Sequence, residues 1–204
     1  MAARTRIHVA KHLSPVRSSR ASLASTSNRI WLVTGPPGIG KSTLVSKVVY
    51  AARSKGVGVG GCLTKEVRSG RERTGFRLID LLSGNEAELA SIKGLGPRVG
   101  KYRVNITNLS SLGAQSLTRA AEVADFIVID EVGPMELTSP EFRKGVKACL
   151  ASGKPMLIVL HESMKDPLMT EITEQPNGKI VELTLHNRES ISRELPAEIS
   201  LTLA

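Results

Sequence analysis

Short runs of wholly apolar residues alternate with amphipathic stretches over most of the chain. Ile30–Val33, Phe126–Ile129 and Met156–Leu160 contain no charged or hydroxyl side chain, which is typical of strands covered on both faces of a parallel sheet. Between them the apolar residues recur at helical spacing. Helices are predicted at residues 41–54, 108–123, 140–152, 164–174 and 187–195, and a last strand at residues 180–185. This order predicts an α/β protein with a mostly parallel sheet that is flanked by helices, and it gives no sign of a second domain.

A different pattern occupies residues 57–104. Residues 57–64 are laced with glycine and predict a strand, whereas residues 65–73 are densely charged and predict a loop. Residues 76–82 and 86–92 lie on either side of a Ser-Gly-Asn turn, which predicts an antiparallel hairpin inserted into the α/β order. Residues 99–104 form a further extended piece that we expect to pair with this hairpin.

The segment between the first strand and the first helix fits the pattern G-x-x-x-x-G-K-[ST] of a phosphate-binding loop. It begins at Gly35 and ends at Lys41 and Ser42. Its glycines allow successive backbone N–H groups to turn toward an anion, and the helix N-terminus adds the positive end of its dipole. We expect Lys41 to reach the β- and γ-phosphates and the Ser42 hydroxyl to bind Mg²⁺.

An acidic pair, Asp130 and Glu131, follows directly after the apolar run 126–129. The carboxyl ends of parallel strands open onto the ligand crevice of such sheets. We therefore predict that Asp130 holds the Mg²⁺ shell through water. Glu131 should point the other way across the pleat, where it could orient or deprotonate an attacking water.

These two segments together predict a nucleotide site, with Lys41 and Glu131 as catalytic residues and Ser42 and Asp130 as Mg²⁺ ligands. Strand 156–160 often lies between the other two apolar strands in RecA-like NTPases, which would bring His161 near the γ-phosphate; a strand-end histidine without a role is the alternative. The residues predicted to bind nucleotide are Gly35, Pro36, Pro37, Gly38, Ile39, Gly40, Lys41, Ser42, Thr43, Ile127, Val128, Ile129, Asp130, Glu131, Val132 and Gly133.

The composition fits one domain. The chain has 204 residues, of which 41% are hydrophobic, and no apolar stretch approaches the roughly 18 residues of a membrane span, so no membrane partner is expected. Cys62 and Cys149 lack metal-ligand spacing and predict small buried side chains in a reducing compartment. We therefore expect a cytoplasmic protein.

The net charge of +9 is concentrated at the N-terminus. Residues 1–29 hold six of the 28 basic residues and none of the 19 acidic ones, so the remainder is nearly balanced. We predict a disordered, Ser/Arg-rich extension over residues 1–28 and an NTPase domain over residues 29–204. The extension is open to three explanations: an organellar targeting segment, a basic arm for nucleic acid or acidic lipid, or a passive addition.

Several longer segments carry a family resemblance. Residues 130–137, DEVGPMEL, resemble the D-E-[IV]-G-x-M-E-L stretch of the small thermostable-type nucleoside triphosphatases, the family of the human cancer-related nucleoside triphosphatase. Residues 64–76 resemble that family's T-x-E-V-R…R-x-G-F segment. Residues 99–104 and 183–188 resemble its V-G-K-Y and L-T-x-x-N-R stretches. The resemblance runs in order from about residue 30 to residue 195.

The resemblance implies a RecA-like sheet with a hairpin insert and Mg²⁺-dependent hydrolysis of nucleoside triphosphates to diphosphate and phosphate. It implies loose base selectivity, so that ATP, GTP, CTP and UTP are all expected substrates. Phosphoryl transfer needs charge neutralisation beyond one lysine and the metal ion. The candidates for these contacts are Arg68, Arg73, Arg98, Lys101, His161 and Arg188.

Two other functions share these motifs. A nucleotide or small-molecule kinase has the same loop and fold, and the charged residues 65–75 could serve as its lid. An RNA- or DNA-associated NTPase would use the basic residues 1–29. Against it, the rest of the chain is nearly neutral and aromatic residues make up only 3% of the sequence, too few for a base-stacking platform. Contact with nucleic acid is expected only through the N-terminal extension.

Overall fold

The structure is a computed structural model, and it describes residues 29–203. The predicted extension over residues 1–28 lies outside the described residues. None of the helices between residues 29 and 203 is long and apolar enough to cross a membrane.

Nine strands in this part of the chain form one sheet in the order β5-β6-β4-β3-β2-β7-β8-β1-β9. The strands are β1 (Ile30–Thr34), β2 (Val59–Ser69), β3 (Glu72–Asp80), β4 (Glu86–Ser91), β5 (Arg98–Val99), β6 (Tyr102–Val104), β7 (Phe126–Val132), β8 (Met156–Leu160) and β9 (Gly178–Glu182).

One half of the sheet is parallel. In it β2 pairs with β7, β7 with β8, β8 with β1 and β1 with β9, all in parallel register. The predicted position of β8, between the phosphate-loop strand and the Asp-Glu strand, is confirmed. The carboxyl ends of β1, β7 and β8 therefore meet at one edge, where a parallel sheet binds its ligand.

The other half is antiparallel, and it corrects the predicted loop at residues 65–73. β2 continues to Ser69, and after a two-residue tip β3 returns from Glu72, so these charged residues form a two-stranded ribbon. An antiparallel ribbon tolerates such a sequence because its exposed side chains pair across the strands. The predicted hairpin of β3 and β4 and its pairing with the region around residues 99–104 are confirmed.

The helices flank both faces of the parallel half. They are α1 (Lys41–Ser54), α2 (Ile106–Asn108), α3 (Ala114–Val123), α4 (Pro140–Ala151), α5 (Pro167–Thr173) and α6 (Arg188–Thr202). A π-helical segment, Leu109–Gly113, joins α2 to α3. The predicted cap of α4 is present, since the Phe142 N–H donates to Ser139 Oγ at 3.1 Å.

The last helix is longer than the sequence predicts. The sequence predicts a helix that ends near residue 195, whereas α6 continues through Pro196 to Thr202, although proline lacks the N–H of a helical hydrogen bond. Leu195 and Ile199 are buried against the same cluster as Trp31, and this packing outweighs the missing hydrogen bond. β9 differs in the opposite sense, because it ends at Glu182, three residues before the predicted end.

The core lies on both faces of the parallel strands, as the wholly apolar runs predict. In β1, Leu32 belongs to the cluster beneath α3, α4 and α5, whereas Trp31 and Val33 belong to the cluster beneath α1 and α6. Trp31 and Phe126 are fully buried and meet edge to face, with ring centroids 6.4 Å apart. Each buried side chain of this size contributes roughly 1.5–3 kcal/mol, and the rigid sheet that results fixes the site at its edge. Cys62 and Cys149 are buried and unpaired, as predicted.

Candidate active site

The phosphate loop leaves β1 and enters α1 through three glycines with positive φ. Gly35 (φ 135°), Gly38 (φ 76°) and Gly40 (φ 113°) lie in the region that side chains disfavour. A Cβ on Gly35 would lie 2.5 Å from the backbone oxygen of Leu183, so this position also lacks space. No side chain caps α1 at Gly40. Its first N–H groups are therefore available to an anion.

Lys41 is the first residue of α1, and its side chain turns back along the loop. Its Nζ donates hydrogen bonds to the backbone oxygens of Gly35 at 2.6 Å and Pro36 at 3.3 Å. The ammonium group therefore lies over the loop itself, within the space that a bound phosphate chain would share.

The acidic pair on β7 faces this loop. Ser42 Oγ lies 3.5 Å from Asp130 Oδ1, across the gap between α1 and β7. Asp130 is only 3% exposed. Burial and then the Glu131 carboxylate raise the pKa of Asp130 to about 7, against the opposing effects of Ser42, Lys41 and the backbone of Thr64. A cation at this carboxylate would return it to its charged form.

Glu131 is half-buried, and burial raises its pKa. The charges of Lys41 and His161 oppose that rise, which places all three groups in one electrostatic site. The pairing of β7 with β8 is interrupted between Ile129 and Val132. The alternation across the pleat on which the sequence prediction relied therefore passes through an irregular part of β7, and the Lys41 charge lowers the pKa of both carboxyl groups.

Sequence reasoning missed a third carboxylate, Glu136. It is 5% exposed, and burial, Glu131 and Asp130 raise its pKa to about 8, while backbone N–H groups at Glu136 and Gly133 act in the other direction. A Cβ on Gly133 would lie 3.3 Å from both Glu131 Oε1 and Glu136 Oε2. The sequence does contain a sign of this residue, since an acidic side chain stands between two apolar ones, Met135 and Leu137. It contributed to the family resemblance but was not predicted as a site residue.

The predicted cationic contacts fall into two groups. On the antiparallel half, Glu66 pairs with Arg68 at 2.6 Å and with Arg73 at 3.2 Å, and Glu72 pairs with Lys101 at 3.2 Å. The Arg98 side chain donates to the backbone of Gly100 at 2.9 Å. All four cationic side chains are therefore engaged by partners on the antiparallel half.

His161 and Arg188 lie nearer the phosphate loop. His161 follows β8, and its backbone N–H donates to the oxygen of Val132 at 3.2 Å, beside Glu131. Arg188 begins α6, five residues after Leu183, whose backbone contacts Gly35. Arg188 is exposed, and no ion pair binds it within residues 29–203.

A phosphate loop after one strand, an acidic pair near the carboxyl end of another, and a third strand between them define a RecA-like P-loop NTPase. Comparisons with known proteins narrow this class. A family model described as NTPase matches residues 30–196. The nucleoside-triphosphatase THEP1 of Thermofilum pendens is 44% identical over 176 residues, which cover 85% of this chain and 97% of the relative.

Two solved structures are also similar. The crystal structure of THEP1 from Aquifex aeolicus has a TM-score of 0.70 at 32% identity, covering 81% of this chain and 96% of that one. The solution structure of a human cancer-related nucleoside triphosphatase has a TM-score of 0.72 at 32% identity, covering 85% and 98%. The chain belongs to the NTPase family. The predicted resemblance is thereby confirmed, and with it the predicted class of nucleoside-triphosphatase.

Proposed function

We propose that this protein hydrolyses nucleoside triphosphates at the γ-phosphate, with Mg²⁺ as cofactor and with little preference among bases. The observation that supports this most is the convergence of three groups at one edge of the sheet. Lys41 Nζ lies over the phosphate loop, Ser42 Oγ lies 3.5 Å from Asp130 Oδ1, and Glu131 is half-buried beside them.

Ser42 and Asp130 fit a Mg²⁺ ion because hydroxyl and carboxylate oxygens are the hard ligands that this ion prefers. Among residues 29–203 no cluster of three or more His, Cys, Asp or Glu side chains could hold a metal by itself. Mg²⁺ keeps several waters and binds substrate phosphates in such sites, so two protein ligands suffice. When bound, Mg²⁺ would neutralise charge on the phosphates.

Lys41 supplies the protein's own positive charge. With nucleotide bound, its Nζ exchanges the backbone oxygens of Gly35 and Pro36 for oxygens of the β- and γ-phosphates, and it follows the charge that develops between them. This movement is short, because the Lys41 side chain already lies along the loop.

Glu131 orients the attacking water and accepts its proton. Its raised pKa favours this role, because a carboxylate that is more basic than usual takes a proton more readily at neutral pH. His161 follows β8 beside Glu131 and opposes the rise of the Glu131 pKa, which supports a role in which it responds to the γ-phosphate.

The base is expected to matter little, because the contacts of the loop, Lys41 and Ser42 all go to phosphate, which every nucleotide shares. ATP, GTP, CTP and UTP should be hydrolysed within about tenfold of one another, or roughly 1.4 kcal/mol. A nucleotide or small-molecule kinase, which shares the loop and the fold, was the main alternative, and residues 65–75 could serve as its lid. Those residues form the paired ribbon of β2 and β3, and Glu131 directly after Asp130 favours water as the acceptor.

The test is steady-state phosphate release by the full chain on the four triphosphates, with Mg²⁺ or with a chelator. Parallel reactions with labelled ATP and added nucleosides detect transfer. We expect Mg²⁺-dependent release of free phosphate from all four and no labelled nucleotide product. Transfer that outpaces release would favour the kinase, and a hundredfold preference for one base would reveal a dedicated base pocket.

A further inference from the structure

The turn between β9 and α6, residues 183–188, packs directly on the phosphate loop. The Leu183 N–H donates to the oxygen of Thr34 at 2.9 Å. The oxygen of Leu183 lies 2.5 Å from where a Cβ on Gly35 would be. The first residue of this turn therefore touches the first residue of the loop, with no room for a side chain between them.

Asn187 holds the turn in shape. Its Oδ1 accepts the Thr184 N–H at 2.8 Å, its Nδ2 donates to the oxygen of Glu182 at 2.9 Å, and its N–H donates to Thr184 Oγ1 at 3.3 Å. With both ends tied, the two residues at the apex, Leu185 and His186, are held outward; the Leu185 side chain is 73% exposed. A single exposed leucine is ordinary, but this one stands on a braced turn beside a phosphate site.

The sheet order fixes the direction in which a nucleotide lies. The groups expected at the γ-phosphate are Asp130 and Glu131, near the carboxyl end of β7, and His161, directly after β8. Both strands lie on one side of β1. The nucleoside must leave on the other side, toward β9. The α-phosphate end of the loop opens at the first turn of α1, and α1 shares its face of the sheet with α6. The turn that leads into α6 therefore lies in the path of the nucleoside.

A cavity of about 660 Å³ competes for the same ligand. Thr34, His161, Met169 and Ile180 are among its lining residues. It lies beneath α5, and Ile180 pairs in register with Leu32, on the face opposite α1. A base in this cavity would have to cross β1 from the α1 side, so the turn is the better placed of the two.

The geometry points to Leu185 and His186 as the contacts of the nucleobase, an assignment that rests on the proposed function. The leucine side chain packs on the face of the base, and the imidazole stacks beside it. Every base has such a face, whereas neither contact reads the donors and acceptors on its edge. The turn therefore adds affinity for the nucleoside without selecting one base, which agrees with the broad selectivity proposed above.

The experiment compares Leu185→Ala with two matched controls. Leu201→Ala removes a leucine of nearly equal exposure, 74%, far along α6, and Ile180→Ala removes an apolar side chain of the cavity that is 60% exposed. KM and kcat are measured for ATP, CTP and inorganic tripolyphosphate, which carries no base. We expect Leu185→Ala to raise KM for both nucleotides by about fivefold, because the leucine no longer covers the base. Both kcat and the KM for tripolyphosphate should stay unchanged.

Three outcomes would overturn the assignment. The first is an unchanged nucleotide KM in Leu185→Ala, the second a rise in Ile180→Ala instead, and the third an equal rise for tripolyphosphate, which would mean that the turn only shapes the phosphate loop. Leu185→Asn serves as a second variant should the alanine variant fold poorly. If the wild-type protein hydrolyses none of these substrates, the proposed function fails, and the Kd of a fluorescent ATP analogue in the same variants still decides the base contact.

Discussion

The two halves of the sheet treat charge in opposite ways. At the edge of the parallel half, Asp130 and Glu136 are 3% and 5% exposed, and no arginine or lysine within residues 29–203 forms an ion pair with either. On the antiparallel half, the side chains of Glu66 and Arg68 are 41% and 51% exposed and lie 2.6 Å apart. The parallel half therefore has buried carboxylates that water solvates poorly. The antiparallel half has exposed charged side chains that water solvates well.

This difference in solvent exposure distinguishes two kinds of charged residue that the sequence alone does not separate. Exposed ion pairs are usually worth between zero and about 1 kcal/mol, so those of the ribbon hold little energy and suit a surface role. Buried carboxylates without a counter-charge weaken the folded state. Their position beside a phosphate loop makes them candidates for a functional role, since perturbed pKa values cluster at functional sites.

The largest effect is expected at Lys41. Lys41→Ala should lower kcat by about a thousandfold or more, since it removes the ammonium group that lies over the loop, and such contacts supply a few kcal/mol. Lys47→Ala is the matched control, because that lysine is also on α1 but binds Ser192 Oγ at 2.6 Å and should keep its activity. Phosphate release near the wild-type rate from Lys41→Ala would refute the phosphate-loop assignment.

The acidic pair should divide by role. Glu131→Gln should keep nucleotide and Mg²⁺ affinity and lower kcat about a hundredfold, the usual scale for removal of a general base. Asp130→Asn should instead lose Mg²⁺ dependence and triphosphate affinity together. Titration of a fluorescent nucleotide at several Mg²⁺ concentrations separates the two. The assignment of Glu131 as the water activator is falsified if Glu131→Gln hydrolyses ATP at the wild-type kcat.

The pH dependence of the free energy of unfolding should show how much the buried Glu136 carboxyl destabilises the folded protein. Folding raises its pKa from 4.5 to about 8, so the folded state retains a proton that the unfolded state releases between these values. Stability should therefore fall as pH rises from about 4.5 to 8. Glu136→Gln, neutral throughout, should remove up to about 5 kcal/mol of that fall. Urea unfolding of the metal-free protein from pH 5 to 9 provides the measurement, and parallel curves for the two proteins would contradict it.

The arginines of the two halves should also differ in their effects on hydrolysis. Arg188→Ala should lower kcat about tenfold, because this exposed side chain begins the helix beside the phosphate loop and its removal eliminates one charge-assisted contact. Arg73→Ala should change kcat by less than about twofold and stability by about 1 kcal/mol, since it breaks the exposed pair with Glu66 and removes a guanidinium that lies 5.5 Å from the centroid of the Phe76 ring. Kinetics and urea unfolding on both variants give the comparison. The reverse order would mean that the ribbon reaches the phosphates.

The smallest effect is expected at the N-terminus. A chain that begins at residue 29 should keep the kcat and the unfolding midpoint of the full chain, because β1 starts at Ile30. Loss of hydrolysis or aggregation of the shorter chain would place residues 1–28 within the domain.

The strands of the parallel half were predictable because a strand that is buried on both faces needs an uninterrupted run of apolar residues. An apolar run such as Met156–Leu160 fits few other environments. The ribbon was not predictable in the same way. Residues 65–73 are charged because they lie on an exposed antiparallel pair, and a charged loop has the same composition. The backbone pairing of β2 with β3 in the folded chain distinguishes the two.

The sequence by itself determined the phosphate loop, the acidic pair and the family, because these depend on backbone freedom and side-chain chemistry at fixed spacing. Tertiary structure decided which charges share a site. Glu136 joins Glu131 around Gly133, and the turn at Leu185 lies on the phosphate loop, through the order of β9, β1, β8 and β7 in the sheet. Such neighbours are far apart along the chain or set by a local bend, and the packing of the sheet, rather than any local pattern, brings them together.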